Sequence, residues 1–305
     1  MTASARETPG QIDAFRADRV YLGADHARNE RRTWTVAAIC LATLAAQIGG
    51  GIAFNSMALV ANGLHLAAHV AALVVAAGAY GLARRFADDP RFSFGTGKIG
   101  YLAGFANAAV LALTALVIAF ESAARLLNPA EVAYDGALAL AAAALVVNLI
   151  CMWLLRPAHA HAHDRDGDLN LSAAHLHLAA DAAVSALAIV GLGLGRVFGW
   201  VWADSLAGLA GALLVAHFAW RLLVRAGAVL LDMNPSADLT AEIRSRLVTG
   251  DERLLDLHVW RLGPGHHAAI VVIEAETPLA PSAYRARLAG LPGLSHVTVE
   301  TRDSR

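Results

Sequence analysis

Residues 170–190 read NLSAAHLHLAADAAVSALAIV, an apolar run long enough to cross a bilayer yet interrupted by His177 and Asp181. Four residues along an α-helix advance roughly 400° and rise about 6 Å, so the two side chains project from one face. A second apolar stretch, roughly 57–83, carries His65 and His69 at the same spacing. Two such helices facing each other offer three imidazoles and one carboxylate, a four-ligand set for a first-row divalent metal inside the membrane. A lone histidine in an apolar helix is ordinarily a hydrogen-bonded contact between helices. Two pairs on two spans are harder to explain that way, because a buried carboxylate is costly unless it is paired or metal-bound.

Ligand chemistry narrows the ion. Imidazole suits zinc, cobalt, nickel and copper, whereas oxygen-rich sets suit magnesium, calcium and manganese. Three histidines and an aspartate in a tetrahedron favour Zn2+ or Co2+. The affinity order favours zinc, so a cobalt preference would come from geometry and supply. Metal binding requires neutral imidazoles, so metal entry expels protons and protonation expels metal. Such a site is suited to exchanging a metal ion for protons.

The rest of the chain agrees with a membrane protein. Of 305 residues, 57% are hydrophobic and only 16% charged, with a mean hydropathy of +0.51. A net charge of −1 gives no sign of a nucleic-acid partner. The two cysteines, Cys40 and Cys151, lie in separate apolar runs and suggest no disulfide framework. The N-terminal residues are polar and mixed in charge through about Arg32, unlike a signal peptide, so the first span must direct membrane entry.

Six stretches can span, at roughly 34–54, 57–83, 98–127, 134–156, 170–194 and 199–224. Arginines and Lys98 concentrate before the first span, between the second and third, after the fourth and at the end of the sixth. The intervening connections are poor in basic residues, so both termini are expected to be cytoplasmic. After Asp232 the composition is that of a soluble domain. Helices are expected at 239–248 and 281–289, the latter opened by Pro281, and strands at 254–262, 268–276 and 295–301. That αββαβ order implies a small two-layer α+β domain with a marginal core, which dimerisation would support. His159, His161 and His163, between the fourth and fifth spans, either collect metal loosely or belong to a solvated connector.

Three other function classes fit the pattern less well. A haem-binding membrane electron carrier also uses histidines on facing helices, but needs one axial histidine from each side. An intramembrane metalloprotease would want an H-E-x-x-H run, which the sequence lacks. A membrane-anchored sensor would have no need of ligands in the bilayer.

Five ordered motifs resemble the cation diffusion facilitator family: SMALVANGLH at 56–65 followed by His69, FSFGTGK at 92–98, ESAARL at 121–126, NLSAAHLH at 170–177 followed by Asp181, and LHVW at 257–260 with GPGH at 263–266. The likeness runs from about Thr33 to Thr301. It implies a dimeric metal/proton antiporter with no cofactor and no enzymatic activity. The implied architecture is an all-α six-helix membrane bundle (34–232) after a cytosolic segment (1–33), with a ferredoxin-like, metallochaperone-like cytosolic domain (233–305). It implies a multi-pass protein of the inner membrane whose transport site is His65, His69, His177 and Asp181. Most zinc-transporting members carry Asp at the position of His69. The form found here is more like the cobalt- and nickel-linked efflux branch, so Co2+ leads, with Ni2+ and Zn2+ next and a zinc/cadmium exporter as the alternative. Asn62 stands where relatives often carry Asp, and Tyr101 where an acidic residue is common. Tail histidines of such domains sense metal at the dimer interface, which suggests a site from His258, His267 and His296, near His266 and Glu300. In relatives the histidine loop between the fourth and fifth spans is thought to gather ions. An ion site in the loop before the third span is not expected, since Arg91, Phe92 and Thr96 leave only Asp88 and Asp89 there.

Overall fold

The apolar runs fold as helices and the C-terminal alternating runs as a sheet. The computed structural model describes residues 20–23, 25–53, 57–128, 134–156 and 168–304, with side chains throughout except at 47, 50–53, 57–66 and 68. Six long helices, α1 His26–Ala53, α2 Met57–Arg85, α3 Ile99–Leu127, α4 Tyr134–Leu154, α5 Leu169–Phe198 and α6 Trp202–Leu230, precede the tail. Among the described residues, α3, α4, α5 and α6 are long and apolar enough to cross a membrane. Helices α1 and α2 match them in length at 28 and 29 residues.

Several helices outrun the apolar windows that announced them. Helix α1 begins at His26, because Arg28, Glu30, Arg31 and Arg32 are polar but good helix formers. Helix α5 passes Arg196 and stops only where Gly199 takes a left-handed conformation (φ 71°) and its N–H donates to the Gly195 carbonyl. At its start, the Asp168 carboxylate accepts from the N–H groups of Asn170 and Leu171 at 3.0 and 3.2 Å.

Between helices in lipid, close packing takes the place of a hydrophobic drive. Helix α6 packs on both α3 and α5. A Cβ on Gly191 of α5 would lie 2.8 Å from the Ala207 Cβ and 2.9 Å from the Asp204 Cα of α6, so only glycine permits that approach. One buried cluster joins α1 (Val36, Cys40), α2 (Val70, Leu73), α4 (Cys151) and α5 (Leu171, Leu178). Two others join α3, α5 and α6 through Leu111, Ala180 and Val215, and through Ala108, Ala173 and Leu222. Helix α5 thus belongs to both groupings.

The described residues divide into two compact units, those within 25–83 and 99–231, and those within 20–23, 84–98 and 232–304. In the second, α7 Ala237–Leu247, β1 Arg253–Gly263, β2 His266–Ala275, α8 Pro281–Leu288 and β3 Leu294–Asp303 follow the αββαβ order. Strand β2 is central, antiparallel to β1 and parallel to β3. Its alternate residues Ala269, Val271 and Ile273 are fully buried with Ile243 and Leu247 of α7 and Tyr284 and Leu288 of α8. At the end of β1, Trp260 and Leu262 pack with Tyr21, and the Phe94 ring meets Trp260 edge-on at 5.5 Å. Two of the sequence motifs, FSFGTGK and LHVW, therefore meet within one unit.

Candidate metal site

His69 sits on α2, and His177 and Asp181 one turn apart on α5. Their ligating atoms all lie within 4.8 Å of one another, the one such group of three found among the described residues. The His69 Nδ1 and His177 Nε2 atoms are 2.7 Å apart. The Asp181 Oδ2 atom is 3.1 Å from the first and 3.6 Å from the second. A tetrahedral ion with bonds of about 2.0–2.1 Å holds its ligand atoms roughly 3.3 Å apart, and the three spacings bracket that edge. At 2.7 Å the two nitrogens share a hydrogen bond, so one ring donates and the other accepts. These are the same two nitrogens that a metal ion would need. Both imidazoles are buried, at 8% and 5% exposure.

His65 lies one turn before His69 on α2, and its side chain is outside the described set. His159, His161 and His163 lie outside the described residues altogether. The tail histidines are described, and the structure leaves them apart. The His258 Nε2 atom is 2.8 Å from the Asp256 carboxylate, both exposed. The His266 Nδ1 atom is 2.7 Å from the Ser295 hydroxyl, His267 faces the Gly293 carbonyl at 3.3 Å, and His296 meets Phe94 edge-on. In the 84–98 loop, hydrogen bonds from the Arg91 side chain and backbone hold the Asp89 carboxyl below its usual range. Tyr101 is buried near the start of α3.

Sequence reading missed the surroundings of the site. A cavity of about 340 Å³ reaches His69 and Asp181, and Thr43, Thr114, Asn148 and Ser185 supply polar groups along it. Ser185 follows Asp181 by one turn, and Asn148 is an isolated amide in an apolar helix. Both were visible signals. Most of the cavity wall comes from residues 137–148 of α4 and 181–188 of α5, with 111–118 of α3, Thr43 of α1 and Val215 of α6 completing it. Toward the other end of the helices, Asp168 gathers hydrogen bonds from the Tyr80 hydroxyl and the Asn29 amide, joining α1 and α2 to the start of α5. Asn170 donates to the Ala76 carbonyl beside them, and Asn29, Tyr80 and Asn170 are all buried.

The family model for the cation efflux transmembrane domain matches residues 33–231. The chain is 29% identical over 291 residues to the metal cation efflux system protein CzcD of Cupriavidus metallidurans, covering 92% of this chain and 90% of that protein. It is 30% identical over 262 residues to a cadmium, cobalt and zinc/H(+)-K(+) antiporter of Bacillus subtilis, covering 82% of each. It is also 29% identical over 259 residues to the zinc transporter ZitB of Yersinia pestis, covering 80% of this chain and 81% of that one. With that match across the helical region, the chain belongs to the cation efflux family, the cation diffusion facilitators, which are membrane transporters of metal ions and not enzymes.

Proposed function

We propose that the protein is a homodimeric antiporter of the inner membrane that exports a divalent metal ion from the cytoplasm in exchange for protons. His65, His69, His177 and Asp181 form its transport site. The observation that carries this reading is the convergence of His69, His177 and Asp181 at tetrahedral spacing, with one proton shared where an ion would bind. The names of relatives, cadmium, cobalt and zinc exporters among them, support a divalent cargo, and one antiporter name supports proton coupling. Within that range we favour Co2+, then Ni2+ and Zn2+, because His69 gives the site a third imidazole in place of a carboxylate.

We read all six long helices as spans of a membrane domain at 34–232. Both termini, the 1–33 segment and the 233–305 domain then lie in the cytoplasm. On that orientation we read the Asn29–Tyr80–Asp168 cluster as the cytoplasmic closure, with the cavity beside His69 and Asp181 on the path to the opposite side. Transport would move α1, α2, α4 and α5 against α3 and α6, a division that the α1/α2/α4/α5 core supports. His258, His267 and His296 would sense metal only with ligands from a second copy, and the 159–163 histidines would gather ions for the site. A haem carrier fits less well: two imidazole nitrogens 2.7 Å apart leave no room for a porphyrin between them.

The test is metal-driven proton flux in vesicles, comparing Co2+, Ni2+, Zn2+, Cd2+ and Mn2+. Asp181→Ala is expected to abolish flux for every ion while leaving the dimer intact. Normal exchange by that variant would refute the site.

A further inference from the structure

Cys40 of α1 and Cys151 of α4 are both free thiols, 1% and 0% exposed, and their sulfurs are 3.8 Å apart. They share a buried cluster with Val70 and Leu178, the chain neighbours of His69 and His177. One turn from each thiol lies a wall of the cavity: Thr43 three residues after Cys40, and Asn148 three residues before Cys151. The thiol pair therefore stands between two of the helices that line that cavity, one turn from its wall on each.

We propose that Cys40 and Cys151 form a redox-modifiable site, in which a lipid-soluble oxidant of the aromatic disulfide or quinone class joins the two sulfurs and so locks α1 to α4. With an aromatic disulfide, one thiol attacks a reagent sulfur, the reagent S–S bond breaks, and one arylthiol departs with that thiol's proton. The second cysteine then attacks the protein sulfur of the mixed disulfide and expels the other arylthiol with its own proton. With a quinone, the two thiols give up two electrons and two protons, and the quinone becomes a hydroquinone. A disulfide bond of about 2.05 Å requires the sulfurs to close by less than about 2 Å, within reach of cysteine rotation and a small helix adjustment. Burial shields each thiol from water-soluble reagents, so only a lipid-soluble one reaches the pair. Once the first adduct forms, its neighbour is already in contact, so the second step outpaces any reaction with a second reagent molecule.

The experiment uses the full-length protein in proteoliposomes treated with 2,2′-dithiodipyridine. The expected result is two pyridinethiones released per chain, no reagent retained by intact mass, and one intramolecular disulfide on peptide mapping. Cys40→Ala and Cys151→Ala are each expected to release one and to keep one pyridyl adduct. Two adducts retained on the wild-type chain would overturn the proposal, as would thiols that stay unreacted while the denatured chain reacts fully. The arrest of transport rests on the function proposed above. Metal/proton exchange by the treated wild type is expected to fall to background and return with dithiothreitol, while treated Cys40→Ala continues. A fully cross-linked chain that still exchanges at its untreated rate would overturn the lock. Absence of exchange before any treatment would count against the transport reading alone, since the release of pyridinethione does not depend on it.

Discussion

Three side chains on two helices, His69, His177 and Asp181, make the described part of the proposed site, and their spacing decides what it could bind. With nitrogens 2.7 Å apart and a carboxylate oxygen 3.1 Å from one of them, a proton and a metal ion compete for one place. Replacing His69 by aspartate exchanges an imidazole for a carboxylate and adds a negative charge. His69→Asp is expected to lower the ratio of Co2+ to Zn2+ turnover in vesicle flux assays, whereas an unchanged ratio would remove His69 from the choice of ion. The i, i+4 pairs were legible in the sequence because helical geometry alone aligns them. Thr43 and Thr114 were not, because each hydroxyl donates to its own backbone four residues earlier, an ordinary role for threonine in any apolar helix. Cys40 and Cys151 stand in runs separated by the second and third helices, and no local pattern tells that they touch.

Among the elements, existence and type were legible while ends were not. Apolar counting stops at the first charge, but backbone hydrogen bonding does not. Helix α6 therefore runs through Arg221 and Arg225 to Leu230, and α1 begins among arginines at His26. The tail elements came closest to expectation in order and type, and Pro281 starts α8. Their stability is open to a test by pH. The Arg287 guanidinium donates to Glu252 at 2.7 Å and to the Leu247 carbonyl at 3.0 Å, tying α8 to the end of α7 and the residue before β1. That bond, with N–H groups from Gly250 and Thr249, holds the Glu252 carboxyl below its ordinary value. A carboxyl with a lowered folded pKa stabilises fully above its unfolded value, near pH 4.3, and the benefit disappears as pH falls through the folded value. Protection of the β1 and α8 amides against hydrogen exchange, taken relative to their intrinsic rates at each pH, is expected to fall on acidification below about pH 4.3. Glu252→Gln should flatten that response and cost about 1.5–3 kcal/mol at neutral pH. An unaltered pH profile in this variant would assign the acid response elsewhere.

For the molecule as a whole, the second copy of the proposed dimer would matter wherever one copy supplies too few ligands. His258 has only Asp256 beside it in the described chain, so a metal bound there needs a second subunit. Divalent metal is expected to tighten the wild-type dimer and to have less effect on His258→Ala, as read by sedimentation. Equal tightening would exclude that histidine. The depth of Asp181 carries a consequence of another kind. It lies twelve residues (169 to 181) into a 30-residue helix, about 18 Å along a rod of about 45 Å, so an ion held there is part-way through the electric field of the membrane. A doubly charged ion halfway through a potential of 100 mV differs in energy by about 2.3 kcal/mol, or roughly fiftyfold in occupancy. Two protons returning by the same three side chains carry an equal charge the other way and cancel that difference over the cycle. One proton leaves a net charge crossing at each turnover. The depth of a single aspartate along its helix thus sets how strongly the membrane voltage biases occupancy, while the metal gradient held against an imposed potential would count the protons of the proposed exchange: a gradient indifferent to the potential means two, and one that shifts with it means another number.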